Sequence, residues 1–164
     1  MAVNMFLKFQ GPPLEGESQV GGHEKEFDID SWSFGATQTG SAQRGTGAGT
    51  AKADVQDVHV SKLCDKGSPI LFGKILLGKH FDKATISCNK AGGDNTPVEY
   101  LKIEMEEVFI ASIQWGGHDG NEMVSENLSL NFGKITFTYT PQGDDGSPDV
   151  AVSQKWNIAK NQET

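Results

Sequence analysis

The first residues that suggest chemistry form a glycine and lysine pattern between Gly73 and Lys79. The stretch Gly73-Lys-Ile-Leu-Leu-Gly78-Lys79 matches the first seven positions of a phosphate-binding P-loop, but His80 stands where a serine or threonine would ligate magnesium. These glycines also lie within and after an apolar segment, not between a strand and the start of a helix. We therefore expect a helix that ends at Gly78 and no nucleotide site.

Histidines and carboxylates are the other candidates for catalysis or metal binding. No His-x-x-x-His or Glu-x-x-His spacing occurs among the four histidines, which are His23, His59, His80 and His118. Asp144, Asp145 and Asp149 could hold a weak calcium ion, but Pro148 and the lack of a 12-residue calcium-loop pattern argue against it. There is no Gly-x-Ser-x-Gly nucleophile motif. We expect no enzyme activity, no cofactor and no metal.

Composition narrows the possible partners. The chain has 164 residues, with 14 Lys+Arg against 22 Asp+Glu and a formal net charge of −8. Such an acidic surface repels nucleic-acid phosphates and anionic lipids, so we expect neither nucleic-acid binding nor stable membrane insertion. Cys64 and Cys88 form no Cys-x-x-Cys unit, and we expect both to be reduced. The length suits one domain over residues 1–164.

Alternating apolar residues predict strands in most of the chain. Three of these segments change phase midway: near residue 30, at Glu106-Glu107 and at Gly133-Lys134. A flat strand with a one-residue slip would turn its second half toward solvent, so each slip indicates a bulge or bend. Bent strands are typical of barrels and of tightly curled sandwiches. We also expect one apolar face to contain Val150, Val152, Trp156 and Ile158.

One segment has the pattern of a helix. Ser68 fits the N-cap, Pro69 the first turn and Gly78 the position after the last turn. Apolar residues cover most of the circumference, so we expect the helix to pack over one side or one opening of the barrel and to be stabilised by that burial. The predicted fold class is therefore all-β, a mainly antiparallel β-barrel of bent strands with one short α-helix packed against it.

The segment from Gly35 to Thr50 differs from the rest of the chain. It holds one charge and no apolar side chain larger than alanine among its sixteen residues. A loop of this length inside a compact domain is usually functional or disordered. The residues of interest in it are Gly35, Gly40, Arg44, Gly45, Gly47, Gly49 and Thr50.

Several short motifs, taken in order, resemble those of a known family. They are Met5-Phe6-Leu7-Lys8, Ser31-Trp32-Ser33-Phe34-Gly35, Val55-Gln56-Asp57-Val58, Gly78-Lys79-His80, Val98-Glu99-Tyr100-Leu101, Glu126-Asn127-Leu128-Ser129-Leu130-Asn131-Phe132 and Trp156-Asn157-Ile158. The chain is similar over essentially its whole length to the hemolysin-coregulated protein (Hcp) family, the inner-tube protein of bacterial type VI secretion systems.

The resemblance implies a subunit of hexameric rings that stack into a tube inside a contractile sheath, with a spike at the tip and effector proteins in the lumen. It implies a protein held in the bacterial cytoplasm before firing and then secreted without a signal peptide. The chain ends soon after Ile158, and we expect no C-terminal effector extension. The alternative, a monomeric β-barrel module that binds a ligand and has no role in secretion, would be distinguished by particle size.

The resemblance also suggests roles for two groups of residues. The glycine-rich loop from Gly35 to Thr50 matches, by position, a family loop that reaches a neighbouring ring or subunit. Ser31 and Ser33 alternate with Trp32 and should point away from the core, toward the lumen if this strand lines it. Two ordinary solvent-facing serines on a strand remain the other interpretation.

Overall fold

The computed structural model describes residues 3–38 and 52–164. The described strands are β1 (Asn4–Gln10), β2 (Phe27–Asp28), β3 (Ser31–Ser33), β4 (Ala36–Thr37), β5 (Asp54–Val55), β6 (Val58–Leu63), β7 (Phe81–Ala91), β8 (Pro97–Gly116), β9 (Ser125–Asn131), β10 (Lys134–Tyr139) and β11 (Val152–Asn157). They are joined by the helix α1 (Ser68–Leu77) and a 3-10 turn at Gly93–Asn95. The predicted all-β class with one short helix is confirmed.

The strands form two layers that share the long strand β8. Sheet A contains β2, β1, β7, residues 97–108 of β8, β10 and β11. Sheet B contains β3, β6, β9 and residues 109–116 of β8. Every pairing is antiparallel, and β4 and β5 form a separate two-stranded ribbon. Because one strand belongs to both sheets, their inner faces enclose a common core.

The three predicted phase slips lie where the chain passes from one sheet to the other. Glu107, at the bend of β8, has a φ of 56°, which reverses the phase of the residues that follow. The second bend separates β9 from β10, and there the Gly133 N–H donates to the Glu106 carbonyl at 2.9 Å. The third separates β2 from β3. The predicted bends are confirmed, and each one is a corner of the fold.

The β2–β3 corner connects β1 of sheet A with β6 of sheet B. The Ile29 N–H donates to the Met5 carbonyl of β1 at 3.0 Å, and the Asp30 N–H donates to the Ser61 carbonyl of β6 at 2.8 Å. One bent segment therefore bonds to both sheets. These contacts make the fold barrel-like, although the ladders of the two sheets do not join into one continuous closed sheet.

The core lies between the two sheets and consists of the inward phase of each strand. Its most deeply buried members include Leu7, Phe9, Phe27, Val58, Phe81, Ile86, Ile103, Met105, Val108, Leu128 and Leu130. The prediction of an apolar face with Val150, Val152, Trp156 and Ile158 is wrong for its first two residues. Val150 and Val152 are 78% and 69% exposed. They precede or begin β11, which pairs only with β10 among the described strands, and only Trp156 and Ile158 reach the core.

Helix α1 differs from its prediction at its first residues. Gly67 is the N-cap and Ser68 is already helical, because the Ser68 Oγ accepts a hydrogen bond from the Asp65 N–H at 3.0 Å instead of capping the helix. The predicted end at Gly78 is confirmed, with a left-handed φ of 62°. The expected packing on one side of the barrel is confirmed: Leu71 is buried there, whereas Leu77 is 69% exposed.

A buried ion pair lies beside the start of the helix. Lys62 on β6 and Glu126 on β9 are both fully buried, and the Lys62 Nζ contacts the Glu126 Oε2. The ammonium also donates to Asp65 Oδ2 at 2.9 Å, and the Trp115 Nε1 donates to Glu126 Oε1 at 2.7 Å. These contacts connect three strands of the barrel with the turn that leads into α1.

The remaining predictions concern cysteines, metals and membranes. Cys64 is exposed, Cys88 is buried, and they form no disulfide, as predicted. Within residues 3–38 and 52–164, no three His, Cys, Asp or Glu side chains gather closely enough to hold a metal ion. In the same residues, no helix is both long enough and apolar enough to cross a membrane.

Candidate functional site

The outer face of sheet B carries an ordered set of polar side chains. Strand register places them in two rows that cross all four strands. The first row is Ser33, His59, Ser129 and Ser112, and the second row is Ser31, Ser61, Asn127 and Gln114. We call these eight residues the polar face. They line a shallow cavity of about 570 Å³.

Alternation along each strand explains why this face is polar. The residues between the polar positions, Trp32, Val60, Leu128 and Ile113, point to the core. Since successive side chains of a strand point to opposite sides, the intervening positions face outward. A register slip of one residue in any strand would replace part of this polar surface with apolar side chains. The rows therefore depend on the same pairing that forms the core.

The polar face carries no Lys, Arg, Asp or Glu, although 22% of the chain is charged. Its members are short hydroxyl or amide side chains and one imidazole. The Ser129 Oγ and His59 Nδ1 are 2.9 Å apart and share a hydrogen bond. At the end of the face, Asn131 Nδ2 donates to Asp57 Oδ1 at 2.9 Å. Hydroxyls and amides can both donate and accept hydrogen bonds, so this surface can contact many partners weakly.

The Ser129–His59 contact does not make a catalytic dyad. A serine nucleophile needs a histidine that is oriented by a third group and a set of donors for the developing oxyanion. Among the described residues, no carboxylate is hydrogen-bonded to His59, and the pair lies on an open strand surface. The contact holds two neighbouring strands together and supplies no activated nucleophile.

Both predicted strand residues belong to the polar face. Ser31 and Ser33 are exposed and lie on either side of Trp32, whose ring faces inward. The Trp32 Nε1 donates to the Cys88 Sγ at 3.2 Å. Burial raises the pKa of the Cys88 thiol, which outweighs the opposite effect of this hydrogen bond. The indole is thus fixed on the core side, which keeps the two serines on the outer side.

Sequence reasoning missed the other six members of the polar face. Alternation shows which residues share a side of one strand, but it does not show which strands are neighbours. Ser129 on β9 pairs with Ser112 on β8 and is hydrogen-bonded to His59, which lies 70 residues away in the sequence. The signal that could have found them is the phase opposite to the buried residues in each predicted strand.

The glycine-rich segment leaves the barrel beside the polar face. Gly35 follows β3, and its carbonyl accepts a hydrogen bond from the Gln56 N–H at 2.9 Å. Strands β4 and β5 then pair with each other as the ribbon. The other predicted contact residues lie outside the described part of the chain: Gly40, Arg44, Gly45, Gly47, Gly49 and Thr50.

Comparison with known proteins places this arrangement in a family. The family model described as "Type VI secretion system effector, Hcp" matches residues 6–139. Protein hcp1 of Pseudomonas aeruginosa is 41% identical over 162 residues, which are 98% of each chain. Hcp1 from Salmonella typhimurium matches with a TM-score of 0.77 and 27% identity over 100% of both chains.

A further solved structure shares the fold at lower sequence identity. It is described as a type six secretion system protein, and it matches with a TM-score of 0.89 and 22% identity over 99% of this chain and 100% of the other. The family model and the hcp1 relative each cover most of the chain. The chain therefore belongs to the Hcp family, as a secreted structural protein of the type VI secretion tube and not an enzyme.

Proposed function

We propose that six copies of the chain form a ring, that rings stack into the secretion tube, and that the polar face lines the lumen. The observation that carries this proposal is the pair of uncharged polar rows across the whole of sheet B. A wall of short neutral side chains offers passengers many weak hydrogen bonds without trapping them by charge or by apolar contact. Such a wall suits a carrier that must also release its cargo.

The width of sheet B supports six copies around a useful lumen. Neighbouring strands lie about 4.8 Å apart, so four strands cover about 19 Å of wall. With the strands running near the tube axis, six walls give a circumference of about 115 Å and a lumen about 37 Å across. A folded domain of about 60 residues has a radius of gyration of about 10 Å, which corresponds to a diameter of about 27 Å, and would fit inside. The proposed cargo is therefore a small folded effector protein.

The glycine-rich loop is proposed to join neighbouring rings or subunits. The paired strands β4 and β5 flank it in the sequence, and its residues include Gly40, Arg44, Gly45, Gly47, Gly49 and Thr50. Small side chains allow a backbone to lie close to another surface. The further proposed partners are the contractile sheath and the tip spike, which would meet the stacked tube. Before firing, the protein would reside in the bacterial cytoplasm, from which the secretion system would export it.

Ring formation is tested by mass. Light scattering after gel filtration should give about 106 kDa, six times the 17.7 kDa of one chain, and electron microscopy should show rings with an open centre. A mass near 17.7 kDa at micromolar concentration would contradict the ring and favour a monomeric ligand-binding module.

Cargo binding is tested on the ring. Ser33→Gln places a longer side chain on the polar face, whereas Ser153→Gln makes the same change on the exposed strand β11 of sheet A. After co-expression with candidate effectors, the Ser33 variant should retain less effector than the Ser153 variant while both form rings. Equal retention of several effectors by the two variants would remove Ser33 from the cargo surface.

A further inference from the structure

His59 is the member of the polar face whose side chain can change its charge near neutral pH. The other seven members are serines, one asparagine and one glutamine, and none of these side chains titrates between pH 5 and 8. His59 is exposed, so its imidazole exchanges protons with the solvent. The formal charge of the eight residues therefore depends on this imidazole alone, which is neutral when deprotonated and positive when protonated.

The imidazole stands in the middle of its row. His59 on β6 pairs with Ser33 of β3 on one side and with Ser129 of β9 on the other. The rest of the row consists of serines, so His59 has the longest side chain in it. His59 is exposed, whereas Ser129 is half-buried. A passenger that lies against this row therefore meets the imidazole before the hydroxyls.

The contact with Ser129 tolerates both charge states of His59. The Ser129 Oγ and the His59 Nδ1 are 2.9 Å apart. A serine hydroxyl can donate to an unprotonated Nδ1, and after rotation it can accept a hydrogen bond from a protonated Nδ1. Protonation can thus reverse this bond without breaking it. No residue within 3–38 and 52–164 is hydrogen-bonded to the His59 Nε2, which leaves this nitrogen to a passenger.

The charged groups around His59 do not change their charge together with it. The residues that face it from β3, β9 and β8 are uncharged, and Asp57 precedes it on the same side of β6. The Asp57 Oδ1 accepts a hydrogen bond from the Asn131 Nδ2 at 2.9 Å. The other charged side chains of β6 and β9, Lys62 and Glu126, are buried on the core side. Carboxylates do not ordinarily titrate between pH 5 and 8, so a change of charge on this side comes from His59.

We propose that His59 determines by its charge which passengers the polar face holds. Protonation places one imidazolium per subunit, and so six per ring, on a wall that is otherwise uncharged. Passengers with an acidic surface then bind more tightly and those with a basic surface more weakly. At about 0.15 M salt, charges act over about 8 Å, less than the roughly 18 Å radius of the proposed lumen, so the effect falls on passenger groups that touch the wall. This inference rests on the proposed ring and its lumen.

Passenger binding at two pH values tests the role of His59. The probes are two versions of one folded domain of about 60 residues without histidine, one with an acidic and one with a basic surface. Fluorescence anisotropy gives the Kd of each probe for wild-type rings at about pH 5.5 and about pH 8. Each exposed ion pair changes affinity by about 1.4-fold to 5-fold. The acidic probe should therefore bind at least about threefold more tightly at the lower pH, and the basic probe more weakly.

Three variants show whether His59 causes the difference. His59→Gln removes the titrating group and keeps a side chain that can form hydrogen bonds, so the two Kd values of the acidic probe should become equal. His59→Lys carries a positive charge at both pH values and should bind the acidic probe at about pH 8 as tightly as wild type does at about pH 5.5. His80→Gln is the matched control, because His80 is 54% exposed and lies outside the polar face. It should retain the wild-type difference.

The outcomes separate this inference from the proposed function. Light scattering of each sample shows whether rings are present. An unchanged pH difference in His59→Gln rings would overturn the role of His59 and leave the lumen as proposed. Wild-type rings that bind neither probe at either pH would overturn the proposed cargo surface, and this inference with it. A monomeric wild-type chain would overturn the ring itself.

Discussion

The buried pair of Lys62 and Glu126 provides a sharp test of how the barrel is held together. Both side chains are completely buried, and the Lys62 Nζ lies 5.1 Å from the centre of the Phe27 ring. Glu126→Gln keeps the shape of the side chain and an oxygen that can accept the Trp115 N–H. It removes the negative charge and leaves the ammonium with Asp65 as its charged partner.

The expected loss follows from the burial of the remaining charge. Removing one partner of a buried pair typically costs about 3 to 5 kcal/mol, because the other charge stays out of water without compensation. Lys62 keeps the Asp65 carboxylate at 2.9 Å and the Leu63 carbonyl at 3.1 Å, so we expect the lower end, about 3 kcal/mol. For a chain of this size, such a loss lowers the thermal midpoint by about 6 to 12 °C.

Urea unfolding at one fixed protein concentration measures this loss, because assembly would otherwise change the apparent stability. Glu104→Gln is the control, since Glu104 and its partner Lys83 are 27% and 38% exposed and such pairs contribute less than about 1 kcal/mol. Adding Lys62→Met and Asp65→Asn to Glu126→Gln should recover part of the loss, because no charge of this buried group then remains uncompensated. A loss for Glu126→Gln that equals the loss for the control would refute the argument.

Three further outcomes are expected. The pKa of the Glu104 carboxyl is lowered: partial burial raises it, but hydrogen bonds and attraction from Lys83 and Lys102 outweigh burial. The charge of Glu104 therefore stabilises the fold fully above the ordinary pKa of a glutamate, and this stabilisation is lost as the pH falls through the lowered pKa. The difference in unfolding free energy between wild type and Glu104→Gln should shrink at acidic pH. A thiol reagent should modify Cys64 in the native protein and Cys88 only after unfolding, since Cys88 is buried; two unreactive thiols after unfolding would indicate a disulfide. Removing residues 43–46 should leave the thermal midpoint nearly unchanged and weaken ring stacking, because these side chains offer little apolar area to the core; a large loss of stability with normal stacking would contradict this role.

Much of the fold could be predicted from local patterns. The phase change at Glu106-Glu107 predicted a bend, and Glu107 has the positive φ that makes it. Gly78 was the expected end of the helix and adopts the left-handed conformation there. Such features depend on residues that are neighbours in the chain, and their backbone preferences act before any distant contact forms.

Local patterns did not show which side chains are covered or which residues are the partners of buried charges. The apolar circumference of α1 predicted that the helix packs on the barrel, which is confirmed, but it did not show that the covered side is the one with Leu71 and Ile75. Hydrophobic periodicity reports that a side chain favours an apolar contact and does not report which surface supplies it. The same holds for Lys62, whose partner Glu126 is distant in the chain. A strand sequence shows a charged residue but not the opposite charge that allows its burial.

The sequence by itself determined the alternating strands, their three bends, the end of the helix and the outward phase of Ser31 and Ser33. Tertiary structure alone decided that β3, β6, β9 and β8 are neighbours, so that eight polar side chains form two rows on one face. It also decided which apolar side chains stay exposed. The physical reason is that alternation is a property of one strand, whereas a surface requires the register between strands, and that register is set by the packing of the whole core.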